Sequence, residues 1–156
     1  MISIDSSSNK SGIAIFEDGL YAKHHLLDFS DNKQMEIRFE KMAKALINTV
    51  SHYKPNIIYM EETVVVRNAQ VQRFLTRLQG VIYAWCIMND CEFNTIRPTE
   101  FRKELDFVQG KNVKREELKQ QAINYVKKIY NLEVNDDVAD AICIGCAVIN
   151  KFKNKN

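Results

Sequence analysis

Six acidic residues stand where a predicted buried segment of the chain begins or ends. Burying a carboxylate without a partner is costly, so acids in such positions need either solvent or a cation beside them. The first acid closes an apolar strand, the next two close a later strand, and the last three open a long apolar helix. In chain order they are Asp5, Glu61, Glu62, Asp136, Asp137 and Asp140.

Most of these acids also have an ordinary structural interpretation. Asp5 precedes a Ser-Ser-Ser-Asn run and could be a turn residue. Glu61 and Glu62 could form a solvated strand end. Asp136 and Asp137 could be the N-cap and the first-turn acid of a helix, positions that stabilise a helix by about 1 kcal/mol. None of these interpretations requires a metal ion.

Asp140 is not explained by capping, because it lies a turn inside the predicted helix. At about 100° per residue, Asp137 and Asp140 are about 60° apart on an inward face that continues over Ile144. Asp136 is about 40° from Asp140, so helical spacing leaves both pairs open. No Arg or Lys lies nearby in sequence to offset these charges. Carboxylate oxygens suit Mg²⁺ or Mn²⁺, whereas zinc is not expected because no histidine falls among the acids.

The first third of the chain predicts the strands and the helix that would position Asp5. Residues 1–29 contain three strand-like runs, with Asp18 and Gly19 as a hairpin signal between the second and third. These runs predict an antiparallel meander. Apolar residues in steps of three and four then predict an amphipathic helix over 32–53. A buried strand is predicted at 56–62.

The remainder of the chain alternates between helices and a strand. A helix is predicted over 69–88, a strand at 91–96, and a short helix with Thr99 as its N-cap. A charged surface helix over 114–130 follows, and the last helix starts at the NDDVADAI stretch, with Asn135 and Asp136 as capping residues. The pattern predicts an α/β domain with a partly antiparallel sheet.

Size and composition set outer limits on what the chain can be. Its 156 residues and 46% hydrophobic content fit a single domain, which we place at residues 1–150, with a short basic tail at 151–156. A net charge of +2 neither requires nor excludes nucleic acid. No apolar run approaches the roughly 20 residues of a membrane span, and the N-terminus lacks a signal-peptide pattern. A cytoplasmic protein with reduced, buried cysteines is expected.

Four stretches, in order and at matching spacing, resemble the RuvC family of Holliday junction resolvases, among them phage-type members. The resemblance covers nearly the whole chain. It implies an RNase H-like α/β fold, with a mixed five-stranded sheet whose first three strands form the meander and with helices on both faces. The matching stretches are ISIDSSSNKSG, IYMEETVVVRNAQVQRFLTRLQGV, KELDFVQGKNVK and DDVADAI.

The resemblance implies a role for each matched residue. Lys114 would act catalytically by neutralising charge on the phosphate. Four acids would be catalytic and would hold Mg²⁺ or Mn²⁺, two ions about 4 Å apart that activate water and stabilise the leaving oxygen. Gly12 and Gly80 match glycines of the family, whereas Val64 replaces a base-stacking aromatic. The four acids are Asp5, Glu61, Asp137 and Asp140. The DNA-binding residues are Arg67, Asn68, Lys103, Lys111, Lys114 and Arg115.

The activity that the resemblance implies is resolution of four-way DNA junctions by a homodimer, through paired symmetric phosphodiester hydrolysis. A related RNase H-like nuclease acting on other branched, flap or hybrid substrates is an alternative with the same metal site. A non-catalytic junction-binding protein is disfavoured because all four acids are present. An actin-like ATPase fragment is disfavoured because the five glycines form no phosphate-binding loop.

Overall fold

A computed structural model describes residues 1–63 and 68–153. Within these residues the elements follow the order βββαβαβααα, as the periodicity predicts. The strands are β1 Ile2–Ser6, β2 Lys10–Glu17, β3 Leu20–Asp28, β4 Ile57–Glu61 and β5 Glu92–Ile96. The helices are α1 Met35–Tyr53, α2 Ala69–Met88, α3 Pro98–Glu104, α4 Arg115–Tyr130 and α5 Asp136–Lys153.

The strands form one mixed sheet in the order β3-β2-β1-β4-β5. The first three strands pair antiparallel, whereas β4 runs parallel to β1 and β5 runs parallel to β4. The β2–β3 hairpin turns at Asp18 and Gly19, with φ of 50° and 76°. This is the left-handed conformation that Asp-Gly turns favour. β1 is the central strand of the sheet, so its carboxyl end lies between β2 and β4.

Helices cover both faces of the sheet, and each face has its own apolar core. On one face, Ile2 and Ile4 of β1 are buried with Leu46 of α1 and Phe74 of α2. On the other face, Phe16 of β2 is buried with residues of α3, α4 and α5. The four cysteines are buried and free of disulfides, as predicted. The predicted mixed sheet with helices on both faces is confirmed.

α5 is apolar all round because protein surrounds it. Residues 138–148 are all buried, and the helix packs against the sheet, α3 and α4. Two glycines allow its close approach. A Cβ on Gly145 would lie 2.1 Å from the ring of Phe16, and a Cβ on Gly12 would lie 2.0 Å from the carbonyl oxygen of Asp137. The first turn of α5 therefore lies directly against β2.

Two local features differ from the sequence predictions. α3 begins at Pro98 with Arg97 as its N-cap, so the cap predicted at Thr99 is wrong. Proline favours the first helical position because its φ is already helical and its missing N–H is not needed there. α5 continues to Lys153, so the first half of the 151–156 tail is helical. Among the helices of the described residues, none has the length and apolar character that a membrane span requires.

Candidate active site

Two of the predicted catalytic acids lie side by side at one end of the sheet. β1 and β4 run parallel, and Ile4 and Met60 are their last paired residues. Asp5 and Glu61 follow directly, at the carboxyl ends of neighbouring strands, where open α/β sheets place their ligands. Side chains alternate along a strand, so Asp5 projects to the same face as Ser3, toward α5.

The first turns of α5 bring the other two acids to the same end of the sheet. Ser3 Oγ donates a 2.6 Å hydrogen bond to the carbonyl oxygen of Ala141, which ties β1 to α5 next to Asp140. Gly12 of β2 lies against the backbone of Asp137. All four predicted carboxylates consequently line one cleft.

Asn135 caps α5, as the sequence predicts. Its Oδ1 accepts a 3.1 Å hydrogen bond from the backbone N–H of Val138, and its Nδ2 donates to Asp137 Oδ2 at 3.0 Å. Asp136 is the first residue of α5 and not its N-cap, and its carboxylate pairs with Lys119 of α4, with 2.6 Å between Nζ and Oδ2. Asp136 thus already has a cationic partner, and Asp137 is oriented by a neutral amide.

The acids share a poorly solvated site and feel one another's charge. Burial raises the pKa of Asp5 well above its usual range, and the neighbouring carboxylates raise it further, Glu61 most strongly. Burial together with the Asp140 charge raises the pKa of Glu61 to about 7. Burial raises the pKa of Asp140 to about 6, although the Arg102 guanidinium opposes the rise. Burial also raises the pKa of Asp137. Clustered shifts of this kind are typical of functional sites.

Arg102 of α3 is a site residue that the sequence did not reveal. Its Nη2 lies 3.9 Å from Asp140 Oδ2, and 17% of its side chain is exposed. Arg102 Nε and Asp140 Oδ1 are buried without a hydrogen-bond partner among the described residues. No local signal distinguishes Arg102 from the adjacent Lys103, because only the packing of α3 against α5 decides which of the two faces the acids.

A cleft of about 840 Å³ opens over the acids. Its walls come from the β1–β2 loop, the end of β4 and the starts of α2, α4 and α5. An acidic floor between basic walls can attract both a cation and a phosphate backbone. The basic residues that line the cleft are Lys10, Arg102, Arg115 and Lys119.

The predicted DNA-binding residues separate into those in the cleft and those outside it. Asn68 and Arg115 line the cleft, and Asn68 also caps α2 by accepting from two backbone N–H groups. Lys103 lies in a separate surface depression. Exposed Lys111 lies in the turn before α4, and exposed Lys114 is the N-cap residue of that helix. Two residues of interest, Val64 and Arg67, lie outside the described residues.

The donor set of the cleft fits a hard divalent cation. Carboxylate oxygens are the ligands that Mg²⁺ and Mn²⁺ prefer. Asp140 Oδ1 is a buried acceptor whose hydrogen-bonding capacity is unused within the described chain. Across residues 1–63 and 68–153, no three acidic, His or Cys side chains stand close enough together to enclose a metal ion. Coordination would therefore draw the carboxylates closer than they stand here.

Comparisons with known proteins show one family and several structures of similar fold. A family model described as Crossover junction endodeoxyribonuclease RuvC matches residues 1–148. The structure of T. thermophilus RuvC in complex with Holliday junction substrate has a TM-score of 0.73 at 13% identity, covering 99% of this chain and 96% of that chain. A second Thermus thermophilus RuvC structure has a TM-score of 0.70 at 14% identity, with coverages of 99% and 97%.

The yeast mitochondrial Holliday junction resolvase Ydc2 has a TM-score of 0.57 at 14% identity, covering 96% of this chain and 77% of that chain. At these identities the structural likeness establishes the fold, which is RNase H-like. No curated protein matches the chain in sequence.

Proposed function

Because the chain belongs to the crossover junction endodeoxyribonuclease RuvC family, it is a junction-resolving endonuclease, and we propose that four cleft carboxylates carry its chemistry. The observation that supports this assignment is the convergence of acids from β1, β4 and α5 in one cleft, with pKa values raised by burial and mutual charge. The four residues are Asp5, Glu61, Asp137 and Asp140.

The cofactor in this proposal is Mg²⁺ or Mn²⁺, two ions per site. When bound, the cations would activate the attacking water and stabilise the leaving oxygen of the phosphodiester. The chain brings the oxygen ligands into one cleft and orients them. Asn135 orients Asp137, and the hydrogen bond from Ser3 to Ala141 fixes the spacing between β1 and α5. Asp140 Oδ1, which has no hydrogen-bond partner within the described residues, supports a cation at this position.

The substrate in this proposal is a four-way DNA junction, cut by paired symmetric nicks. The cleft supports binding of a phosphate backbone, because Arg115 and Asn68 line it beside the acids. Exposed Lys114 stands next to Arg115 at the start of α4 and is proposed to neutralise charge on the scissile phosphate. Further phosphate contacts along the junction arms are assigned to Arg67, Lys103 and Lys111.

A homodimer is the assembly in this proposal, because paired nicks in a two-fold symmetric junction call for two sites related by the same symmetry. The face of α2 away from the core supports such an interface. Tyr83, Ile87 and Met88 are 52%, 64% and 84% exposed. A second copy of this face could bury these apolar side chains.

We also propose that residues 1–150 form one nuclease domain and that the enzyme acts in the cytoplasm of a bacterial or phage-infected cell. The family match over residues 1–148 and the two cores that share a single sheet support one domain. A cytoplasmic location gives the enzyme access to DNA.

Incubation with a synthetic four-way junction tests the proposed chemistry. We expect the wild-type enzyme with Mg²⁺ or Mn²⁺ to yield two symmetric nicks, and we expect none in EDTA. Asp140→Asn should lower the nicking rate by at least about a hundredfold, because it removes a charged ligand from the catalytic site. The matched control is Glu133→Gln, which removes an exposed acid that pairs with Lys127 outside the cleft. An intact junction in both metals, with a folded wild-type protein, contradicts the proposal.

A nuclease that acts on other branched or hybrid substrates would have the same site. Comparing the cutting rates of different substrates distinguishes such a nuclease from a junction resolvase. We expect linear duplex, flap and RNA–DNA hybrid competitors to be cut more slowly than the four-way junction. Preferential cutting of a flap or a hybrid would favour the alternative.

A further inference from the structure

Arg102 faces Asp140 at a distance longer than that of a direct hydrogen bond. Hydrogen bonds between Arg and a carboxylate are about 2.7–2.9 Å long, whereas Arg102 Nη2 and Asp140 Oδ2 are 3.9 Å apart. Both side chains are mostly buried, with 17% and 12% exposed. Arg102 Nε and Asp140 Oδ1 lack hydrogen-bond partners in the described part of the chain. The pair is therefore held together by charge and packing and not by a specific bond.

Arg102 lines the same cleft as Asp5, Glu61 and Asp140, so its charge faces several acids at once. It opposes the rise in the pKa of Asp5, of Glu61 and of Asp140. These acids come from β1, β4 and α5, so one positive charge offsets repulsion among three elements of the fold. The guanidinium also lies 5.2 Å from the ring centroid of Phe101, a fully buried residue of the same helix.

We propose that Arg102 is a built-in counter-ion, a positioning residue that holds the carboxylates together in the metal-free enzyme and competes with the divalent cation for them. The inference rests on the proposed function, because it assumes that these acids bind metal. It predicts that removing the guanidinium changes the stability of the metal-free protein and the affinity for the cation in opposite directions. The metal-free protein becomes less stable because the acids repel one another without compensation, whereas cation binding becomes tighter because a competing positive charge is gone.

Calorimetric titration with Mg²⁺ in the absence of DNA measures the predicted change in affinity for the cation. Arg102→Met, which keeps the length of the side chain, should bind Mg²⁺ about tenfold more tightly than the wild type. Arg102→Lys keeps the charge, and Lys103→Met removes the neighbouring exposed charge outside the cleft, so both should stay within about threefold of the wild type. Equal or weaker Mg²⁺ binding by Arg102→Met overturns the inference, because a residue with only a packing role would weaken the site when removed.

Thermal melting in EDTA measures the predicted loss of stability of the metal-free protein and does not depend on metal binding. Arg102→Met should lower Tm by several degrees, and adding Asp140→Asn to the same chain should restore part of the loss, because it removes one of the uncompensated charges. An equal effect of Asp140→Asn on the Tm of the wild type and of Arg102→Met contradicts a counter-ion role. If the wild type binds no Mg²⁺, the proposed metal site fails, whereas this melting cycle still decides whether Arg102 is a counter-ion.

Discussion

Asp136 and Asp137 are adjacent in the chain but have different surroundings, and substitution should separate their roles. Asp137→Asn should lower junction nicking by at least about a hundredfold, because it removes a proposed ligand of the catalytic cations. Asp136→Asn should change nicking only slightly and should cost at most about 1 kcal/mol of folding free energy, because it breaks a partly exposed ion pair with Lys119. Nicking rates and denaturant unfolding measure the two effects.

Lys119→Met is the matched control for this comparison, since it breaks the same ion pair from the other side. Its effect on stability should equal that of Asp136→Asn. Equal losses of nicking activity from Asp136→Asn and Asp137→Asn would show that both acids serve the metal site and would undo the assignment.

The raised pKa values of the acids predict how the metal-free protein responds to pH. Glu61 has a pKa of about 7 and Asp140 of about 6 when folded, against ordinary values of 4.5 and 3.8. A carboxyl group with a raised folded pKa favours folding below its unfolded pKa, and this contribution disappears as pH rises through the folded value. In EDTA, Tm should therefore fall between about pH 5 and pH 8, and Asp140→Asn should reduce this fall. A Tm independent of pH in this range contradicts the shared burial of the acids.

Single residues show what sequence can and cannot reveal. The inward position of Asp140 follows from helical geometry, since it depends only on residues within one helix. The choice of Asp137 over Asp136 came from the family resemblance and remains a prediction. Arg102 and Lys119 were missed because their relation to the acids depends on how α3 and α4 pack against α5, and residue spacing within a single helix carries no information about such packing.

Gly12 sets the separation between β2 and α5, so enlarging this residue should disturb both the fold and the site. A Cβ there would lie 2.0 Å from the carbonyl oxygen of Asp137, and backbone on both sides limits relaxation. We expect Gly12→Ala to cost about 3 kcal/mol or more and to reduce nicking in the fraction that remains folded. Urea unfolding and the junction assay provide the two measurements.

Gly80→Ala is the comparison for this prediction, because a methyl group at that position of α2 meets nothing within 4 Å. It should be neutral or stabilising by up to about 1 kcal/mol, as Ala favours helix over Gly. A similar destabilisation by both substitutions would mean that contact with α5 is not the reason for glycine at position 12.

Most elements were predictable because their signals are local. Alternating apolar residues and the Asp18-Gly19 turn define the β2–β3 hairpin, and steps of three and four define the helices. The predicted cap at Thr99 failed because Pro98 fits the first helical turn and moves the N-cap back by two residues, to Arg97. The order of the strands in the sheet was not predicted, because the pairing between β1 and β4 joins distant parts of the chain.

The proposed assembly predicts how the protein responds to a charge on the outer face of α2. Ile87→Glu should convert a dimer to a monomer in sedimentation equilibrium, because burying an unpaired carboxylate in the interface is costly. The control is Ile129→Glu on α4, whose side chain is 52% exposed. It should leave the dimer intact. A wild-type monomer at micromolar concentration, or dissociation by both variants, contradicts an interface through α2.

The hydrogen bond from Ser3 to Ala141 joins a strand near one end of the sequence to its last helix. During synthesis, β1 leaves the ribosome long before α5. Its contact with α5 at the carboxyl edge of the sheet therefore cannot form until α5 has been synthesised. Contacts between such distant segments form late and slow the search for the native state. On the proposed assignment, a growing chain has Asp5 and Glu61 but lacks the acids of α5, so we expect no DNA cleavage until translation has delivered α5 and that helix has docked.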